Sequence, residues 1–193
     1  VKLIVIACGT ATSQALKEVE GEYDIPIIGV IEPTVQHIKE KGYKNIGVIA
    51  TSGTIRSRGW EEAILKQMPD VNIQSKACPL LAPMVEEGWT DNEVAELVVR
   101  EYIKDFKEID ALVLGCTHYP LLENTIRKQL NTETLNVGEF VGIEVENLLN
   151  KLNLKNSENK EENKIFLTDL DTYFNKVAKN LTGEEIKSLK AEY

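Results

Sequence analysis

Short apolar runs recur along the chain, at residues 3–6, 25–31, 46–50, 71–76, 111–114, 134–137 and 164–167, and each reads as a strand. The runs at 3–6 and 111–114 are apolar at consecutive positions, the pattern of a strand buried on both faces. Between the runs, apolar residues fall at helical spacing, and helices are expected at 11–19, 35–41, 55–67, 90–106, 123–130, 142–152 and 170–181. Gly42 suits a helix C-terminus, and Thr90 with Glu93 three residues later reads as a capping box. Pro120 suits the first turn of the helix that follows it. Residues 78–89 form a loop or irregular helix, and the Asn-, Lys- and Glu-rich stretch 153–163 reads as a solvated connection. Strand alternating with helix indicates an α/β fold with parallel sheets, whose ligands bind beyond the carboxyl ends of the strands.

Two cysteines stand at such strand ends. Cys8 follows the run 3–6 and leads through Gly9 and Thr10 into a helix; Cys116 follows 111–114 and Gly115 and leads through Thr117 and His118 towards another. A cysteine at a helix N-terminus feels the positive end of the backbone dipole, which lowers its pKa and raises its thiolate fraction. A lone cysteine is commonly just a small buried hydrophobe, and Cys78, before Pro79 with no second unit like it, reads as packing. The repetition of strand, cysteine, threonine and helix sets the other two apart. His118 is placed to exchange a proton with Cys116 or to orient it. Thr51 and Thr54 bracket a strand-to-helix turn and suit a substrate carboxylate, or simple capping.

The chain of 193 residues is 42% hydrophobic and 27% charged, enough for a sizeable core without metal or disulfide staples. A net charge of −9 disfavours nucleic acid and anionic membrane, since both need clustered Lys and Arg. No apolar run reaches the length of a membrane span, no signal peptide is evident, and three scattered cysteines do not form a secreted disulfide framework. A cytoplasmic protein is expected. Val1 leads directly into an apolar run, so a portion of chain is expected to precede it.

Ala-Cys-Gly-Thr-Ala-Thr at 7–12 and Gly-Cys-Thr-His-Tyr-Pro-Leu-Leu at 115–122 resemble the cofactor-independent glutamate racemases of bacterial cell-wall synthesis. The second motif is the more specific, and the similarity extends to Gly29-Val30-Ile31-Glu32-Pro33, Ile49-Ala50-Thr51-Ser52-Gly53-Thr54 and Cys78-Pro79-Leu80. The resemblance implies two similar α/β domains facing each other across an active-site cleft. Residues 1–30 and 140–193 then form one domain and 31–139 the other. It implies interconversion of L- and D-glutamate for peptidoglycan, with no metal, pyridoxal phosphate or other cofactor, and a homodimer. Reversing a stereocentre needs a base on each face of one carbon, so Cys8 and Cys116 would flank the substrate, with His118 as the third catalytic residue. Gly9, Thr10, Thr51, Thr54, Glu86 and Thr117 would bind the substrate, although Glu86 in a Glu-Glu-Gly loop also reads as a solvated residue.

Two departures bear on activity. The family has Asn where this chain has Gly9, and it carries an Asp-Ser pair and a Pro-Tyr-Gly segment upstream of the first cysteine, before the point where this chain begins. Alone the chain is expected to racemise weakly or not at all; preceded by such a segment it is expected to turn over normally. Aspartate racemase shares the paired cysteines, but a histidine after the second Cys-Thr favours glutamate. A non-catalytic or truncated racemase-like binding protein is the reading from another class. Thiol-disulfide exchange lacks its Cys-X-X-Cys, and nucleotide binding lacks its glycine-rich loop. His37 reads as an ordinary helix residue, Trp60 and Trp89 as core or domain-contact residues, and Asn180-Leu181-Thr182 as a glycosylation acceptor never used in the cytoplasm.

Overall fold

A computed structural model describes residues 1–157, 163–169, 174–175, 177–179 and 183–192. The chain divides into two units, Val1–Leu154 and Lys155–Tyr193. In the first, β1 (Ile4–Ile6) leads into α1 (Gly9–Val19), β2 (Ile27–Gly29) and α2 (Ile31–Lys41). Then come β3 (Asn45–Ala50), α3 (Ser52–Ser57), α4 (Gly59–Gln67), β4 (Asn72–Ala77), α5 (Leu81–Glu86) and α6 (Glu93–Ile103). β5 (Ala111–Leu114), a 3-10 turn (Tyr119–Leu122), α7 (Glu123–Arg127), β6 (Glu133–Asn136) and α8 (Val137–Lys151) complete it. β1 pairs with β2, and a separate four-stranded sheet has the order β4-β3-β5-β6; all these pairings are parallel.

β5 is the strand its sequence predicts. Flanked by β3 and β6, it has all four residues fully buried, and they alternate between two cores. Ala111 and Val113 join Val35, Ile38, Trp60, Ile64 and Val137 on one face; Leu112 and Leu114 join Leu81, Val99, Tyr119 and Ile126 on the other. β1, expected to be buried on both faces, is half-exposed, with Val5 outward. It has β2 as its one strand neighbour among the described residues, so its apolar run is not enclosed as that of β5 is.

Other departures are local. The helix expected at 55–67 is two, α3 and α4, because Arg58 adopts φ 57° and ends the first. The break lets Gly59 lie against α1, where an added Cβ would stand 2.6 Å from the Cβ of Ser13. α2 begins at Ile31 rather than at 35, since Pro33 falls in the first turn, where no backbone N–H is needed. α6 is capped by Asn92, whose side chain accepts from Ala95 N at 2.9 Å; the Thr90 carbonyl instead accepts from Thr125 Oγ1 at 2.7 Å. α8 begins at Val137 rather than at 142, where the Asn136 side chain accepts from Gly138 N at 3.0 Å.

In the second unit β7 (Ile165–Leu167) pairs in parallel with β8 (Ser188–Lys190). β7 was expected; β8 holds a single apolar residue, Leu189, and has no period to detect. The helix expected at 170–181 lies largely outside the described residues, as does all of Asn180-Leu181-Thr182. No helix among the described residues is long and apolar enough to cross a membrane.

Candidate active site

The site forms where the ends of β1, β3 and β5 meet. Gly115 N donates to Ile49 O at 2.8 Å and prolongs β5 to the edge of Cys116. Tyr119 N then donates to Cys116 O at 3.0 Å, turning the chain, and Tyr119 OH donates to Cys78 O at 2.8 Å, tying that turn to the residue after β4. Cys116 is held this way at 8% exposure. Cys8 caps α1, its carbonyl accepting from Thr12 N at 2.8 Å, and its thiol is exposed. The Thr117 hydroxyl donates to Ala7 O at 3.3 Å, joining the two cysteine segments.

Burial pushes the Cys116 thiol up, against the lowering effect of the His118 backbone N–H; Cys8 and the Glu86 carboxylate raise it further. The sequence pattern pointed the other way for this residue. Cys116 is followed by a 3-10 turn rather than by a long helix, and desolvation dominates any dipole. Its sulfur lies 3.7 Å from His118 Nδ1, and His118 Nε2 lies 3.2 Å from Glu86 Oε1, so Cys116, His118 and Glu86 form a chain of contacts. Glu86, at the end of α5, contacts His118 with its side chain 63% exposed, so the pair is well screened.

Thr10, Thr51 and Thr54 bring their hydroxyls into a triangle with sides of 2.9, 2.8 and 3.0 Å. Thr51 is also the cap of α3, accepting from Thr54 N at 3.3 Å, so capping and convergence on one point coexist. Gly9 is buried at the start of α1. The nine residues expected in the site all lie in the first unit, eight of them following the ends of β1, β3 and β5, with Glu86 at the end of α5.

Sequence reasoning missed Ala7 and Gly115, which supply backbone contacts, and Tyr119, the buried tether; Tyr119 was within reach as part of the motif at 115–122. His37 stacks on Phe140, with ring centroids 4.2 Å apart, and Trp60 is a core residue at 1% exposure. Trp89, expected in a core or contact, is 48% exposed, and its backbone N–H donates to Met84 O at 2.8 Å, closing the turn after α5. No group of three or more His, Cys, Asp or Glu among the described residues is placed to hold a metal ion.

Cys78 is fully buried, and burial pushes its thiol from 9.0 to about 12. The unfolded chain releases this proton first, so the stability the neutral thiol contributes is intact below pH 9 and lost as pH rises towards 12. The loss amounts to at most about 4 kcal/mol. Urea unfolding across that interval should show a steep decline in wild type and a shallower one in Cys78→Ala.

Residues 1–139 match the family model described as Asp/Glu/Hydantoin racemase. The chain is 47% identical over its whole length to the glutamate racemase of Sulfurihydrogenibium sp. (strain YO3AOP1), covering 73% of that protein. It is 39% identical to the glutamate racemase of Aquifex aeolicus, with 97% of this chain and 72% of that protein covered. Among solved structures, that of glutamate racemase from Francisella tularensis in complex with D-glutamate superposes with a TM-score of 0.94 at 32% identity, covering all of this chain and 74% of the other.

Proposed function

This chain belongs to the Asp/Glu/Hydantoin racemase family, and from that premise we propose that it interconverts L- and D-glutamate by two-base proton transfer. The observation that carries the reading is the meeting of the two cysteine segments, joined by Thr117 and Ala7 and close enough for Cys8 to raise the Cys116 thiol. Each sulfur serves one face of the α-carbon. The thiolate of one takes the α-proton, the thiol of the other returns a proton to the opposite face, and the roles exchange with direction. Burial favours the neutral form of Cys116, the form that returns the proton in the direction in which Cys8 is the base. An Nε2–H donated to Glu86 leaves Nδ1 as an acceptor facing Cys116, the tautomer that can receive and return the thiol proton. The hydroxyls of Thr10, Thr51, Thr54 and Thr117 and the backbone N–H groups at Gly9 and Thr10 bind the substrate carboxylate and ammonium groups.

The proposal extends to the domain division of residues 1–30 with 140–193 and residues 31–139, to a homodimer in the cytoplasm, and to supply of D-glutamate for peptidoglycan. The names of the relatives support glutamate as substrate, and the bound D-glutamate in the Francisella protein supports a small acidic amino acid. In deuterium oxide each glutamate enantiomer should take up deuterium at the α-carbon and lose optical activity, while aspartate does so far more slowly. His118→Asn should slow both directions by about 10²-fold. Glutamate bound without exchange would identify a binding protein instead, and aspartate turned over faster would reassign the substrate.

A further inference from the structure

The two cysteine segments run past each other in opposite senses: Ala7 faces Thr117 and Gly9 faces Gly115, leaving Cys8 and Cys116 as the residues between. One side of this crossing is the Thr117 hydroxyl bond to Ala7 O, at 3.3 Å. The other is a close backbone approach, in which a Cβ added at Gly9 would stand 2.4 Å from Gly115 O and 3.5 Å from Gly115 C.

We propose that Gly9 is a positioning residue that sets the gap between the two sulfurs, as one half of a two-point clamp whose other half is Thr117 on Ala7. The inference rests on the two-cysteine reading above. Glycine is needed here for space and not for backbone conformation, since Gly9 is not among the glycines with positive φ. The obstacle is also fixed. Gly115 N is tied to Ile49 O at 2.8 Å, and a Cβ on Gly115 would itself stand 2.8 Å from Trp60 Nε1 and 2.9 Å from Ile49 O. Gly115 is boxed in, so a side chain at position 9 must displace the segment 7–9 and carry the Cys8 sulfur with it. Where the family carries Asn at this position, this chain has a neighbouring carbonyl in the space where such a side chain would begin.

The test uses dibromobimane, in which each thiolate displaces one bromide: a C–S bond forms, a C–Br bond breaks and the thiol proton goes to buffer. Fluorescence reports double displacement, and peptide mapping locates the bridge. Wild type and Gly142→Ala, whose added Cβ meets no atom of the described residues within 4 Å, should bridge Cys8 to Cys116. Gly9→Asn should lose the bridge while each thiol still reacts singly with monobromobimane, and its kcat should fall by about 100-fold with KM moving much less. If Gly9→Asn does not fold, Gly9→Ala decides by the same readouts. A wild type that does not bridge, or Gly9 variants that bridge and turn over as wild type does, overturns the proposal. Bridging that depends on Gly9 without any racemisation keeps the clamp and removes the glutamate reading; racemisation indifferent to Gly9 does the reverse.

Discussion

Cys8→Ala and Cys116→Ala should each lose racemisation, by at least about 10³-fold, because the proposed two-base scheme assigns each sulfur to one face of the α-carbon. The losses differ in kind. With one base gone, the enantiomer whose α-hydrogen faces it no longer releases that hydrogen, so each variant stops deuterium uptake from a different enantiomer. Cys8 is exposed, and its replacement should leave stability within about 0.5 kcal/mol of wild type. Cys116 packs in the core with Leu114 and Tyr119, so its variant needs a check by thermal unfolding before lost activity is read as lost chemistry. Uptake from both enantiomers in either variant would rule out the two-base scheme.

Trp60→Ala costs about 3–5 kcal/mol of stability. At 1% exposure the indole is among the largest fully buried side chains, and it belongs to the core cluster of Val35, Ile38, Ile64 and Val113. Its Nε1 has no hydrogen-bond partner among the described residues, so part of what the ring contributes is already offset by a stranded donor. Trp60→Phe removes that donor while keeping most of the apolar volume, and its cost should stay below about 1.5 kcal/mol. Nε1 also bounds the space beside Gly115, so Trp60→Ala frees the residue next to Cys116 and should lower turnover even where the protein remains folded. Urea denaturation of the two variants provides the check, and equal costs would show that the indole N–H is satisfied after all.

The elements that were legible are those whose signal lies within a few residues. β5 announces itself through four consecutive apolar residues, and the repeated cysteine-threonine context at 8–10 and 116–117 marks both strand ends. The errors arose where two local readings were equal or where a distant element decided. Thr90 and Asn92 are both capping residues, and the bond from Thr125 to the Thr90 carbonyl is made from far along the chain. The break at Arg58 follows from seating Gly59 on Ser13 of α1, which periodicity over 55–67 does not register.

The amino-acid sequence by itself determined the alternation of strand and helix and the placement of two cysteines at strand ends, because both depend on side-chain period and turn chemistry over short spans. Only the tertiary structure decided which distant groups meet. His118 finds Glu86 across 32 residues, Thr10 finds Thr51 and Thr54 across 41 and 44, and the Thr117 hydroxyl reaches Ala7 across 110. It also reversed the expected effect on Cys116: a dipole argument uses only the neighbours in sequence, whereas desolvation is set by everything packed around the sulfur.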